Sequence, residues 1–267
     1  MILPASYLNG FAPRDGRPLY PSLWRGCVGA WNPGLGPSGL TLRDWSGFGN
    51  HGTLTNGPTW VASQGRYALD FDGVNDYCIT NRWSGVDLTK PFSFVGRVLL
   101  RSISDYAFSL LSQGDPSTGG IAVTNVFGKM MVIVGGVHWS GGATVLVTNK
   151  TYSIAIVRDT IGHPSTGHPL IYLDGAYDNQ TLGGGTGYTS TDNSSQLKIG
   201  YDATHATYNN GTIDDLRIYN RALSPNEIRL LATRRGIAYE MAPRRRSSAQ
   251  SVVSYSTFRP SVLRGSK

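Results

Sequence analysis

Residues 43–60, RDWSGFGNHGTLTNGPTW, place an aspartate, glycines, amides and aromatic rings between two short apolar runs. Glycine accepts the positive φ angles that tight turns require, and Asn-Gly is a strong hairpin signal. This composition predicts a sharp loop between β-strands. Three uses of the loop stay open at this point: a structural turn, a metal site and a sugar site.

Short apolar runs separated by turn signals continue along most of the chain. The runs predicted to form strands are CVGAW, TLRDW, YALDF, DYCIT, PFSFVGRVLL, YAFSLL, MMVIVGG, ATVLVTN, YSIAIVRD, PLIYLDG, QLKIG and TIDDLRIY. The dipeptides predicted to form tight turns are Asn56-Gly57, Asp72-Gly73, Asp174-Gly175 and Asn210-Gly211. Many short strands at this spacing are typical of a sandwich or a jelly roll.

A helix is predicted only over SPNEIRLLATRR, residues 224–235. Ser224 is suited to cap it, Pro225 fits the first helical position, and Glu227 completes a capping box. The sequence therefore predicts an all-β protein: an antiparallel two-sheet jelly-roll sandwich with one short C-terminal helix and extended N- and C-terminal arms.

The charge is unevenly distributed, which divides the chain into three parts. Residues 1–233 carry equal numbers of basic and acidic side chains, so the whole excess of +7 lies in residues 234–267. We predict an extended arm over 1–24, a jelly roll over 25–235 and a basic docking tail over 236–267. Such a tail cannot bury enough apolar surface to fold alone, so we expect a partner to order it.

Aromatic anchors between basic residues suit docking onto protein grooves or strand edges, so we favour a protein partner over nucleic acid. The partners expected are other subunits of an assembly, with several copies or a homo-oligomer of this chain. The residues predicted to dock are Tyr239, Arg244, Arg245, Arg246, Tyr255, Phe258 and Arg259.

The N-terminus shows no basic start followed by an apolar core, so we expect no signal peptide and assembly in a cytosol. No apolar run approaches the roughly 20 residues that a membrane-spanning helix needs. Cys27 and Cys78 lie in apolar strand-like runs. Buried free thiols are favoured over a disulfide because nothing indicates an oxidising compartment.

Three motifs carry a family resemblance: DWSGFGNHGTLTNGPTW, YALDFDGVNDYCIT and GTIDDLRIYNRALSPNEI. In this order they resemble the laminin-G-like, concanavalin A-like jelly rolls, including pentraxin-like modules. The resemblance covers about residues 25–235. It implies the fold specifically, but it leaves lectins, adhesion modules, carbohydrate-binding accessories and virion surface proteins as candidate functions.

The resemblance also implies a structural calcium ion near these motifs, with Asp44, Asn50 and Asp214 as its ligands. Calcium prefers oxygen ligands, which a glycine-rich loop can supply. Asp214 shares strand parity with Leu216 and Ile218, so its carboxylate points toward an apolar face and needs a partner. The alternative is that Asp44 accepts hydrogen bonds from backbone N–H groups and that Asp214 pairs with an arginine.

Sugar rings stack on aromatic side chains while their hydroxyls form hydrogen bonds. The candidate glycan contacts, all in Gly- or Asn-rich surroundings, are Trp83, Trp139, Tyr201 and Tyr208. Catalysis is not expected. Some relatives of the fold cleave glycans with paired glutamates on one strand, whereas the only glutamates here are Glu227 and Glu240.

Two functions follow from the sequence. The first is a non-catalytic structural protein displayed on a larger assembly and anchored by its arms. A phage or virus particle assembled in host cytoplasm is the favoured setting, with the chain as decoration, fibre or tail component. The alternative is a soluble, calcium-dependent, lectin-like module, secreted or extracellular, that binds host or environmental glycans.

Overall fold

The structure is a computed structural model that describes nine segments of the chain. They are residues 18–82, 86–104, 106–114, 120–134, 138–159, 168–178, 181–184, 196–203 and 205–240. For residues 81–82, 138–139 and 181–184 only the backbone is described.

Nineteen strands are formed within these segments. In chain order they are β1 Cys27–Trp31, β2 Thr41–Leu42, β3 Gly52–Thr55, β4 Thr59–Ser63, β5 Arg66–Asp72, β6 Tyr77–Arg82, β7 Phe92–Leu100, β8 Ser109–Gln113, β9 Ile121–Val126, β10 Lys129–Val134, β11 His138–Gly141, β12 Thr151–Arg158, β13 Leu170–Leu173, β14 Ala176–Tyr177, β15 Thr181–Gly184, β16 Gln196–Ile199, β17 Tyr201–Asp202, β18 Thr207–Tyr208 and β19 Asn210–Tyr219. Short 3-10 helices lie at Pro21–Trp24, Pro33–Leu35 and Ile237–Tyr239, and one α-helix, α1, spans Pro225–Thr233.

The strands form two large antiparallel sheets, which confirms the predicted two-sheet sandwich. The eight-stranded sheet has the order β14-β13-β12-β7-β19-β5-β4, with β1 also paired to β19. The nine-stranded sheet has the order β15-β11-β10-β9-β8-β16-β6-β3-β2. The remaining pair, β17 and β18, is a short hairpin that contacts β8 and β9.

The main core lies between the two sheets. Trp31, Phe71 and Phe94 reach it from the eight-stranded sheet, and Cys78 and Leu197 reach it from the nine-stranded sheet. Because side chains alternate along a strand, the neighbours of these residues face outward. The alternation fixes which residues are displayed on each outer face.

A second apolar cluster covers the outer face of the eight-stranded sheet. Ile228 and Leu231 of α1 pack there together with both described ends of the chain. Trp24 donates a hydrogen bond from Nε1 to the carbonyl of Ala238 at 2.7 Å, and the N–H of Leu19 donates to Glu240 at 2.7 Å. Residues 18–24 and 236–240 therefore belong to the folded body.

Arg217 of β19 is completely buried beneath these ends. Its Nε donates to Asp215 at 2.9 Å, and its guanidinium lies 4.3 Å from the ring centre of Tyr239 and 5.1 Å from that of Trp24. Burial alone would lower the pKa of Arg217, yet the charge of Asp215 and the tyrosines raise it. The other carboxylate oxygen of Asp215 accepts from the N–H of Gly236, so one ion pair ties the chain end to the sheet.

Three local predictions are wrong. ATVLVTN, residues 143–149, is not a strand: Val145 and Val147 are exposed, and Thr144 is held by hydrogen bonds to Asp178. In TLRDW only Thr41–Leu42 is a strand, followed by a single bridge at Asp44.

The third error concerns Asn210-Gly211, which lies inside β19 and not in a turn. A Cβ at Gly211 would lie 2.0 Å from the carbonyl oxygen of Leu99 on β7, so glycine is required by a close backbone approach. By contrast, Asp174 and Gly175 both have positive φ and connect β13 to β14 as predicted.

The predicted capping box of α1 is confirmed, with the Ser224 side chain accepting from the N–H of Glu227. The Glu227 carboxylate also receives two hydrogen bonds from Arg221. The Arg221 hydrogen bond, aided by Ser224, lowers the pKa of Glu227 from 4.5 to about 2. No helix in the described segments is long and apolar enough to cross a membrane.

The Arg217→Met variant is expected to lose about 3 kcal/mol of unfolding free energy, because the buried Asp215 carboxylate would lose its charged partner. Urea unfolding at neutral pH measures this loss. The matched control is Arg229→Met at an exposed position on α1, which should stay within about 0.5 kcal/mol of wild type. A loss for Arg217→Met no larger than that of the control would contradict the anchoring role.

The Glu227→Gln variant is expected to be about 1 kcal/mol less stable than wild type at neutral pH. A carboxyl whose folded pKa is lowered stabilises the fold above its unfolded pKa and loses this effect as the pH falls. The difference between variant and wild type should therefore shrink between pH 4.5 and about 2. Urea titrations across this range test it, with Glu240→Gln as the control; a difference independent of pH counts against the mechanism.

Candidate functional site

Asp44 organises the loop between β2 and β3. Its Oδ1 accepts from the N–H of Ala30 at 2.9 Å and of Ser46 at 2.8 Å. Its Oδ2 accepts from the Ser46 hydroxyl at 2.7 Å and from the N–H of Asn50 at 2.9 Å. Four donors thus surround a carboxylate that is only 5% exposed. The loop is a turn organised around its own Asp44 carboxylate.

Asn50 and Asp214, the other predicted calcium ligands, have different partners. The Asn50 amide donates to the carbonyl of Val28 at 3.1 Å. Asp214 forms a buried ion pair with Arg235. Burial, with the charge of Asp215, raises the pKa of Asp214 to about 6 although Arg235 opposes the shift.

These contacts do not fit a calcium ion shared by Asp44, Asn50 and Asp214. The oxygens of Asp44 face N–H and O–H donors, and the Asp214 carboxylate faces a guanidinium. Within the described segments no group of three or more His, Cys, Asp or Glu side chains is placed to hold a metal ion. Calcium binding by this protein stays a prediction without an assigned site.

The Asp44→Asn variant separates the two interpretations of the loop. An amide would turn an NH₂ group toward donors that now face an anion, so we expect a loss of about 2 kcal/mol in unfolding free energy. If Asp44 serves the backbone, the loss is the same in calcium and in a chelator. If chelation alone destabilises wild type by as much, and the variant no longer responds to calcium, Asp44 is a metal ligand.

Three tyrosines and a lysine meet on the outer face of the nine-stranded sheet. Tyr201 and Tyr208 pair across the β17–β18 hairpin with ring centres 4.9 Å apart. Tyr77 of β6 lies 6.0 Å from Tyr201 and 6.4 Å from Tyr208. The Lys198 ammonium is 4.5 Å from the Tyr201 ring centre. We call these four residues, all partly exposed, the tyrosine cluster.

Strand parity explains why this cluster faces solvent. Cys78 beside Tyr77, and Leu197 and Ile199 beside Lys198, point into the core, so Tyr77 and Lys198 point outward. Burial, with the neighbouring tyrosines and Asp202, raises the pKa of Tyr201. The Tyr201 phenol therefore stays protonated at neutral pH, and a phenol O–H can donate a hydrogen bond.

A contact network beneath the hairpin supports the cluster. The Ser112 hydroxyl of β8 donates to the Tyr201 carbonyl at 2.7 Å. Asp202 is fully buried, and its carboxylate lies 3.0 Å from Nδ1 of His205. The His205 ring stacks on Tyr106 at 3.5 Å. Contacts with β8 and with Tyr106 therefore restrain the hairpin that carries Tyr201 and Tyr208.

The structure thus brings together two of the four predicted glycan contacts, Tyr201 and Tyr208. Trp83 lies outside the described residues, and only the backbone of Trp139 is described. The sequence prediction missed Tyr77 and Lys198. Their outward parity could be deduced from DYCIT and QLKIG, but their proximity depends on the pairing of β6 with β16.

The predicted docking residues are mostly untested. Tyr239 is 5% exposed and packs edge-on against Trp24 at 5.1 Å, so it contacts the body of its own chain. The others, Arg244, Arg245, Arg246, Tyr255, Phe258 and Arg259, lie outside the described residues. Docking of the tail stays a prediction that now depends on residues beyond 240.

Comparison with known proteins identifies the family. A sequence profile of the concanavalin A-like lectin/glucanase superfamily, of the laminin G type, matches residues 71–229, more than half of the chain. The chain belongs to this superfamily, and the resemblance carried by its three motifs is confirmed. No curated protein matches the chain.

Solved structures share the fold at low sequence identity. Domain 4 of an extracellular arabinanase from Geobacillus stearothermophilus, in complex with arabinotriose, has a TM-score of 0.61 at 18% identity, covering 77% of this chain and 98% of that one. The binding domain of Paraclostridial mosquitocidal protein 1 has a TM-score of 0.56 at 14% identity, covering 79% of this chain and 52% of that one.

The sialidase of Trypanosoma rangeli has a TM-score of 0.51 at 19% identity, covering 78% of this chain and 33% of the enzyme. The chain thus spans about a third of that enzyme. These similarities concern the fold alone, because one fold supports many functions.

Proposed function

We propose that this protein is a non-catalytic carbohydrate-binding module and that the tyrosine cluster is its sugar-binding surface. The observation that carries the proposal is the meeting of Tyr77, Tyr201 and Tyr208 on one solvent-facing surface, within 6.4 Å of one another. Aromatic faces offer apolar area to the C–H groups of a sugar ring. The phenols and Lys198 supply hydrogen-bond donors for its hydroxyls.

The tyrosine rings are preorganised, which favours binding because little side-chain freedom is lost when a ligand arrives. Tyr201 and Tyr208 are restrained by their pairing across the hairpin and by the contacts of His205 and Ser112 beneath it. The ring planes are tilted by 39° to 50° to one another. Such an arrangement suits an oligosaccharide whose successive sugar rings change orientation. It is less suited to a single sugar ring.

Three carboxylates of the described segments are engaged in structural contacts, which favours binding without hydrolysis. Most glycosidases use two carboxyl groups facing one sugar bond. Glu227 caps α1 and Glu240 pairs with Arg234. Asp72 accepts from the N–H groups of Val74 and Asn75, as the predicted hairpin turn requires.

The related arabinanase domain was solved with arabinotriose, which makes arabino-oligosaccharides the first ligands to test. Calorimetry with arabinotriose and a wider glycan array should give binding by wild type. Tyr208→Ala and Tyr201→Ala should each weaken it about fivefold or more, since a buried aromatic contact contributes over 1 kcal/mol. Prolonged incubation should release no product.

The matched control is Tyr177→Ala, which removes a half-exposed tyrosine from β14 at the edge of the other sheet. It should leave the affinity unchanged. Absence of any glycan ligand, or equal affinities for Tyr208→Ala and Tyr177→Ala, would refute the tyrosine cluster as the site.

A second proposed function is display on a larger assembly, with a virus or phage particle as the setting. It is favoured by the charge excess of +7 confined to residues 234–267. Deleting residues 241–267 should abolish co-sedimentation with the assembly. The melting temperature should stay unchanged, because the truncated chain keeps every described contact of the body up to residue 240. Unchanged incorporation of the truncated chain would remove this proposal.

A further inference from the structure

A groove with a mixed polar and apolar lining lies at the edge of the sandwich, apart from the tyrosine cluster. Its volume is about 530 Å³, within the size range of small-ligand sites. It is lined by the β2–β3 connection, including Thr41, Arg43, Trp45 and His51. Arg43 and Trp45 also border an adjoining cavity of about 240 Å³ that reaches Trp60. Arg43 and Trp45 therefore separate the groove from the adjoining cavity.

Strand register brings Arg43 and His51 together. Thr41 pairs with Thr53 and Leu42 with Gly52, so the continued register sets Arg43 opposite His51. The backbone N–H of Asp44 donates to Nδ1 of His51 at 3.0 Å, which confirms the proximity. Because Nδ1 accepts this bond, the proton of the neutral ring lies on Nε2, leaving Nε2–H as a donor.

Arg43 is exposed, and among the described residues it has no carboxylate partner and no hydrogen-bond acceptor. Asp44 also lines the groove, but its carboxylate forms no ion pair with Arg43. Leu42 points into the core, so Arg43 points outward. The Asp44 carboxylate is buried and faces the four donors of its turn. The groove thus presents a guanidinium, an imidazole N–H and a hydroxyl beside an indole.

We propose that this groove binds a sugar carboxylate, as found on uronic or sialic acid units. The guanidinium of Arg43 is suited to hold the carboxylate with two parallel hydrogen bonds. His51 Nε2–H and the Thr41 hydroxyl bind ring oxygens, and Trp45 contacts the apolar side of the ring. The site goes beyond the tyrosine cluster and gives the protein a second, acid-selective contact.

The two sites are far enough apart to be tested separately. Thr55 on β3 pairs with Tyr77. His51 lies four residues before Thr55, immediately before the start of β3. With standard strand spacing and rise, the backbones of Arg43 and Tyr77 are about 16 Å apart. A substitution at one site does not remove contacts from the other.

Calorimetry with trigalacturonate, sialyllactose and the neutral galactotriose tests the proposal. At least one of the two acidic probes should bind more tightly than galactotriose, and the affinity should fall with ionic strength. Arg43→Gln should weaken acidic binding about tenfold or more, as expected for loss of a charge-assisted pair. Arg43→Lys should recover only part of the affinity, because the planar fork is lost. Trigalacturonate and sialyllactose distinguish the two sources of the carboxylate.

The control is Arg229→Gln, which removes the same charge from an exposed position on α1 and should leave binding unchanged. Equal affinity for acidic and neutral probes, equal affinity of Arg43→Gln and wild type, or no binding at about millimolar concentrations would each overturn the inference. Loss of acidic binding in Tyr208→Ala but not in Arg43→Gln would assign it to the tyrosine cluster. Arg43-dependent acidic binding without neutral binding would leave this inference standing while the proposed arabino-oligosaccharide function fails.

Discussion

The carboxylate of Asp44 is the constraint on which the candidate groove depends. It joins the β2–β3 connection to β1 and so ties an edge of the nine-stranded sheet to the other sheet. A buried anion is tolerated only when donors surround it. The glycine-rich loop supplies three of the four donors, and the N–H of Ala30 on β1 supplies the fourth. Asp44 points inward, and the residue before it, Arg43, is exposed. One side chain thus fixes the turn that follows its charged neighbour.

The fold could be predicted where the signal was local. The capping box of Ser224 and Glu227 and the turn at Asp174-Gly175 depend on neighbouring residues, and both formed as expected. The segment 143–149 failed for the opposite reason. Its apolar residues suggest a strand, but only Leu146 reaches the core, and the contacts of Thr144 with Asp178 come from far along the chain.

The candidate site was harder to predict, because it depends on topology. The aromatic and glycine content around Tyr201 and Tyr208 was visible in the sequence. Tyr77 joins them only because β6 lies beside β16 and the β17–β18 hairpin contacts β8 and β9. The predicted calcium ligands illustrate a second difficulty. The same aspartate in a glycine-rich loop suits a metal ion or a ring of N–H groups, and only the backbone direction distinguishes them.

The described chain ends and the tyrosine cluster lie on opposite faces of the sandwich. Residues 18–24 and 236–240 pack on the outer face of the eight-stranded sheet, and the tyrosine cluster lies on the outer face of the nine-stranded sheet. Arg43 lies at the edge of the sandwich between them. A partner that contacts residues 18–24 or 236–240 would therefore bind on the face opposite the tyrosine cluster. Copies attached to one support through that face would all expose the tyrosine cluster in the same direction. Individually weak contacts with a polymer would then combine into durable attachment.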